Sequence, residues 1–147
     1  MVEQLYKKIL LPTDGSKYSD QSEKHALAIA DVNDAEIIAL SVIENSFFIN
    51  LPDSETVSEV NNLLKKETEK NLNKVERLRD EECLDVKITK KVAEGSPARV
   101  ILETIEEEDI DLVVIGSSGK TGIDKFLMGS VAEKVVKSAK CCVLVVH

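Results

Sequence analysis

The chain has 147 residues, nineteen Lys and Arg against twenty-seven Asp and Glu (net charge -8), 43% apolar residues, no Trp, three Phe and two Tyr. That length suits one ordinary hydrophobic core, and a core poor in rings must be filled by Val, Ile, Leu and Ala, as in a parallel sheet covered by helices. An acidic, ring-poor surface argues against general nucleic-acid binding, base stacking and attraction to an anionic membrane, and its excess charge serves solubility.

In chain order, MVEQLYKK carries an early acidic residue and no signal-peptide core. No apolar run approaches bilayer-spanning length, so a cytoplasmic protein is expected. Ile9, Leu10 and Leu11, closed by Pro12 and the Asp14-Gly15 turn, predict a first strand over residues 6–12. Ala26, Ile29 and Ala30 then recur at helical spacing, with Ser16 or Ser19 as the cap. His25 lies in that helix and reads as a core-edge residue. Residues 36–43, containing IIALSVI, are aliphatic throughout, as a central strand should be. Residues 45–54 form a loop containing Pro52 whose Phe47, Phe48 and Leu51 suit a flap over a ligand or a partner surface.

Val57, Val60, Leu64, Asn71, Val75 and Leu78 mark a long helix over residues 55–82. Val86, Ile88 and Val92 approach period two, the pattern of a third strand exposed on one side. Pro97 opens the next helix, whose buried stripe is Ala98, Ile101, Leu102 and Ile105. The acidic run 106–109 closes it where the helix dipole disfavours negative charge, and reads as a solvated turn. DLVVIG at 111–116 is a fourth strand; Val131, Ala132, Val135, Val136 and Ala139 mark a last helix, and residues 141–146 a fifth strand. Alternating strands and helices predict a doubly wound five-stranded parallel sheet in one domain, strand order 3-2-1-4-5. Its last strand lies at an edge without charge or proline, open to pairing with a second copy as a homodimer through 141–146.

Cys83, Cys141 and Cys142 form no disulfide framework, since neighbours on a strand point to opposite faces, and buried reduced thiols are expected. No Ser/His/Asp or Cys/His set can be placed. Ser130 has no designated base, and His147 is the last residue.

Chemistry concentrates in GSSGKTGIDKFLMGS, residues 116–130. Gly116 and Gly119 let the backbone approach a ligand, and Gly129 and Ser130 open the last helix, where free N–H groups and the positive helix end favour an anion. Lys120 and Lys125 can offset phosphate charge. A Walker A loop would need glycine where Val114 stands, and the dinucleotide fingerprint belongs after the first strand, where this chain reads PTDGS. By shape alone, a surface loop and a phosphate site stand level. Asp14 is either a ligand contact, a turn residue with Gly15, or a phosphoacceptor lacking companion carboxylates.

The pattern Gly-x2-Gly-x9-Gly-Ser/Thr falls on Gly116, Gly119, Gly129 and Ser130, beside ILLPTDGS at 9–16 and GSVAEKVVKSAKCCVLVV at 129–146. In these the chain resembles the universal stress protein family, specifically its ATP-binding subgroup. The resemblance spans nearly the whole chain and implies a single domain over 1–147, a three-layer αβα fold (Rossmann-like, of the adenine nucleotide alpha-hydrolase type), and ATP with Mg or Mn held mainly by the phosphates. It places adenine against Pro12, Thr13 and Asp14, with the Val42 backbone on the base and Asp14 on the ribose or adenine side. Gly116 and Gly119 run past the ribose and α-phosphate, Gly129, Ser130 and Val131 hold the outer phosphates, and Met128 is a neighbour. Departures are Ser118 where many members have His, Lys120 where Arg is common, and Lys140-Cys141-Cys142 where Pro-Cys-Pro is common. The implied function is a nucleotide-dependent stress-response module that dimerises through its last strand. The alternatives are a slow ATPase, for which no residue is placed to align a water, and a dimeric interaction module that binds no nucleotide.

Overall fold

The aliphatic run after the amino terminus forms the middle of the sheet. In the computed structural model, which describes residues 4–44, 48–118 and 128–147, the strands are β1 (Lys8–Pro12), β2 (Glu36–Ile43), β3 (Ile88–Glu94), β4 (Leu112–Gly116) and β5 (Cys142–Val146). The helices between them are α1 (Lys17–Asn33), α2 (Ser54–Glu81), α3 (Pro97–Glu107) and α4 (Ser130–Ser138). All strand pairs are parallel, in the order β3-β2-β1-β4-β5. This is the predicted doubly wound fold.

Strand alternation divides the core into two halves. Ile9, Leu11, Ile37, Ala39, Leu112 and Val114 meet Ala26, Leu27 and Ala30 of α1 and Leu72 and Val75 of α2. Leu10, Ile38, Leu40, Val113 and Ile115 meet Ile101 and Ile105 of α3 and Val135 of α4. The result is three layers, with β1, β2 and β4 covered on both faces and β3 alternating as an edge strand.

Helix boundaries follow local chemistry. The Ser16 hydroxyl caps α1 by accepting from the Ser19 amide at 3.3 Å, and the Asp53 carboxylate caps α2 by accepting from the Thr56 amide at 2.7 Å. β1 starts two residues later than predicted: the Lys7 and Lys8 amides donate to the Asp111 carboxylate, at 2.8 and 2.9 Å. The acidic run is countered by lysines, Glu106 pairing with Lys140, and Glu107 and Glu108 with Lys91.

Three expectations are corrected. Cys83 and Cys142 are exposed and only Cys141 is half-buried, because Cys83 sits in the left-handed turn after α2 (φ 54°) and Cys142 on an edge strand. Burial pushes the Cys141 thiol above its ordinary range. His25 is exposed on α1, and Val136 is 43% exposed, so the α4 stripe loses Val136 and keeps buried Ala132 and Val135 with Val131 and Ala139 half-buried against the core. Among the described residues no helix is long and apolar enough to cross a membrane.

Candidate functional site

Between β1 and β4 the connections turn to opposite sides of the sheet, and in this class of fold such a switch point opens a crevice beyond the carboxyl ends of the strands. A cleft of about 290 Å³ lies there. It brings together Pro12, Thr13 and Asp14 from the end of β1, Val42 from β2, Gly116 from β4, and Gly129, Ser130 and Val131 from the start of α4. Met128 stands outside that lining, 38% exposed. Gly119, Lys120, Lys125 and Phe47 lie outside the described residues.

The β1 side is tightly bonded within itself. The Thr13 amide donates to the Leu40 carbonyl at 2.8 Å, tying the cleft floor to β2. The Asp14 carboxylate accepts from the Ser16 amide at 2.9 Å and from the Ser19 hydroxyl at 3.0 Å, while the Asp14 amide donates back to that hydroxyl. Asp14 therefore builds the turn and lines the cleft at once. Behind it, the Thr13 hydroxyl donates to Glu23 Oε1 at 3.1 Å, and Glu23 is 1% exposed. Burial pushes the Glu23 carboxyl above the ordinary carboxylate range; the Thr13 bond and the Lys74 charge pull it down, and Asp20 and Asp14 push it up.

The β4 side is left open. The Gly129 amide donates to the Ser117 carbonyl at 2.6 Å, and the Gly129 carbonyl accepts from Glu133 at 2.9 Å as the first bond of α4. Among the described residues no side chain caps this helix. The amides of Ser130, Val131 and Ala132 have no acceptor within the helix, and that of Gly129 is already used. Ser118 is 7% exposed, and its hydroxyl is buried without a hydrogen-bond partner. An unpaired polar atom beside an uncapped helix start is what a site for an anionic ligand requires.

The two described glycines of the motif are required by packing as much as by a ligand. A Cβ on Gly116 would stand 2.9 Å from Tyr18 Cβ and 3.0 Å from the Tyr18 carbonyl oxygen, so this glycine lets α1 lie close to β4. A Cβ on Gly129 would stand 3.1 Å from the Ser117 carbonyl oxygen and crowd the bond that sets the start of α4.

The cleft also holds Glu44, Ser117, Ser118 and Ala132, which the motif reading did not assign to it. Glu23 was legible in principle: with Ala26, Leu27 and Ala30 it sits at i, i+3, i+4 and i+7 on the buried stripe of α1. A larger hollow of about 730 Å³ lies between α2 and β3, but its polar lining is Lys65, Glu69, Lys90 and Glu94 with Thr68, and none of its lining residues belongs to the first turn of a helix. Among the described residues no group of three or more His, Cys, Asp or Glu side chains is placed to hold a metal ion.

Residues 5–147 match the universal stress protein family. The chain belongs to that family. A general stress-response role comes with this membership. The universal stress protein MJ0531 of Methanocaldococcus jannaschii is 46% identical over 98% of this chain and 84% of its own length. MJ0577 of the same organism is 35% identical over 97% of this chain and 95% of its own length. Its solved structure superposes with a TM-score of 0.77, covering 97% of this chain and 96% of that one at 36% identity. The universal stress protein of Archaeoglobus fulgidus, solved in complex with dAMP, shares the fold at a TM-score of 0.68 and 17% identity, covering 97% and 99% of the two chains.

Proposed function

We propose that this family member binds ATP in the β1–β4 cleft and acts as a nucleotide-dependent regulatory module. The observation that carries this reading is the start of α4: three backbone amides with no acceptor within the helix and, among the described residues, no side-chain cap, beside the buried Ser118 hydroxyl that has no hydrogen-bond partner. Phosphates accept hydrogen bonds and carry the charge that a helix start favours. The amides of Ser130, Val131 and Ala132 would hold them. At the other end Pro12, Val42 and Asp14 offer apolar walls, a strand backbone and a carboxylate, suited to a base and a ribose rather than to phosphate. The dAMP complex of the A. fulgidus protein, which shares this fold, is in keeping with an adenine nucleotide. Mg or Mn would travel with the ligand's own phosphates and offset their charge.

The test is to denature freshly purified protein, identify any nucleotide released, and measure the thermal shift on adding ATP with Mg²⁺. Bound adenine nucleotide, or a rise in melting temperature with ATP, is expected. Protein that carries none and shows no shift would fit the reading of an interaction module that binds no nucleotide. We further propose a homodimer through β5, supported by its edge position and uncharged sequence. Gel filtration showing only monomer at micromolar concentration removes that part.

A further inference from the structure

Glu23 has no place in the nucleotide reading, yet it stands one hydrogen bond behind the cleft. Its carboxylate is on the buried stripe of α1, and the partner of its Oε1 is the hydroxyl of Thr13, a residue of the cleft floor. A carboxylate can only accept, so while Glu23 is ionised the Thr13 proton must point at it, and the lone pairs of the hydroxyl are left for the cleft. A protonated carboxyl can donate, which frees the Thr13 proton to turn toward the cleft instead.

We propose that Glu23 is a positioning residue for the ligand: by fixing the direction of the Thr13 hydroxyl it makes the cleft floor an acceptor for an amino or hydroxyl group of adenosine, and it withdraws that acceptor on taking up a proton. The inference rests on the nucleotide reading above, with adenosine at the β1 end. Thr13 itself has little freedom to do anything else, since its amide is held by the Leu40 carbonyl and the residue is 5% exposed.

Burial raises the Glu23 carboxyl above the usual range, which brings its protonation nearer to neutral pH. The charged groups acting on it are Lys74 from α2, Asp20 from α1 and Asp14 from the turn after β1. Lys74 and Asp20 pair with each other. Of the other strands packed against α1, β4 carries no titratable side chain and β5 only Cys142. Lys8 and Glu36 lie together at the opposite ends of β1 and β2. His25, two residues on, is exposed and is kept in every variant below.

The experiment uses the full chain and two probes, adenosine and ATP with Mg²⁺, with affinities measured over about pH 5 to 8. Adenosine has no phosphate, so charge repulsion by Glu23 does not mask the hydroxyl's direction. Wild-type protein is expected to bind adenosine more weakly as pH falls, by about two- to tenfold, the worth of one neutral hydrogen bond. Glu23→Gln carries no titrating group at this position, so its adenosine affinity should not fall with pH. Thr13→Val should bind weakly at every pH, and it serves should Glu23→Gln fail to fold. ATP binding with adenosine affinity that is absent, or has the same pH profile in wild type and Glu23→Gln, overturns this inference and leaves the ATP reading standing. Absence of ATP binding at every pH overturns both.

Discussion

Helices α1 and α4 both begin at the cleft, one after β1 and the other after the glycine-rich segment, and their first turns are completed differently. At α1 the Ser16 hydroxyl accepts from the Ser19 amide, and Asp14 collects the Ser16 amide and the Ser19 hydroxyl, so side chains of its own neighbours cap this helix start. At α4 the N-cap residue is Gly129, which has no side chain to offer, and the amides of the first turn are left without a protein partner from a cap. The same fold thus contains a helix start closed by side chains and one left open, both contributing to the lining of the same crevice. The closed one stabilises the protein; the open one is where a ligand gains hydrogen bonds that the folded chain has not already used.

The largest expected effect on folding comes from closing the gap that lets these two sides meet. Gly116→Ala puts a Cβ against both the side chain and the carbonyl oxygen of Tyr18. A loss of about 1–3 kcal/mol in urea unfolding is expected, as for other overpacked sites. Adding Tyr18→Ala should recover none of it, because the Cβ and the carbonyl oxygen that the new methyl group meets are both kept by alanine. Full recovery would mean that the backbone of α1 moves away freely, and that the close approach is not needed.

Next in size is the cap of α1. Ser16→Ala removes the acceptor for the Ser19 amide, and a loss of about 1 kcal/mol is expected from cap substitutions of this kind. Ser16 is not part of the cleft lining, so ATP affinity should stay close to wild type. A large drop in affinity with unchanged stability would reverse the roles assigned to the two helix starts.

Much of this was legible before the structure. The aliphatic runs at 9–11, 37–43 and 112–115 carry the sheet, and their strand order follows from the alternation of strands and helices. Gly129 and Ser130 were readable as a helix start because glycine and a hydroxyl residue precede the stripe of Ala132 and Val135. What pattern could not give was which amide at that start is free. Gly129 spends its own on the Ser117 carbonyl, a contact made across the whole glycine-rich segment. The reason for Gly116 was hidden likewise, since Tyr18 is almost a hundred residues away in the chain and meets it only when α1 folds over β4. The thiols were misread because Cys142 lies on the edge strand that the strand order already implied, and Cys83 in a left-handed turn that no periodicity marks.

The smallest effect on folding, and the sharpest on the comparison, is expected from Ser130→Ala. Ser130 is the first residue of α4, is exposed, and does not cap the helix. Alanine is the better helix former by a few tenths of a kcal/mol. Stability should therefore change by no more than about 0.5 kcal/mol, as for a surface substitution, with a slight gain as the expected sign. Affinity should move the other way. The backbone amides of Ser130, Val131 and Ala132 are untouched, so ATP still binds, but the hydroxyl that can donate to a phosphate is gone. A hydrogen bond to a charged group is worth about 1.5–3 kcal/mol, so ATP affinity should fall by roughly tenfold to a hundredfold, with adenosine affinity nearly unchanged. An equal loss for both ligands would place Ser130 at the adenosine end instead, and no loss for either would leave phosphate to the amides and Ser118 alone. The split between the two ligands is what ties the open helix start to phosphate, because a general loosening of α4 would weaken both.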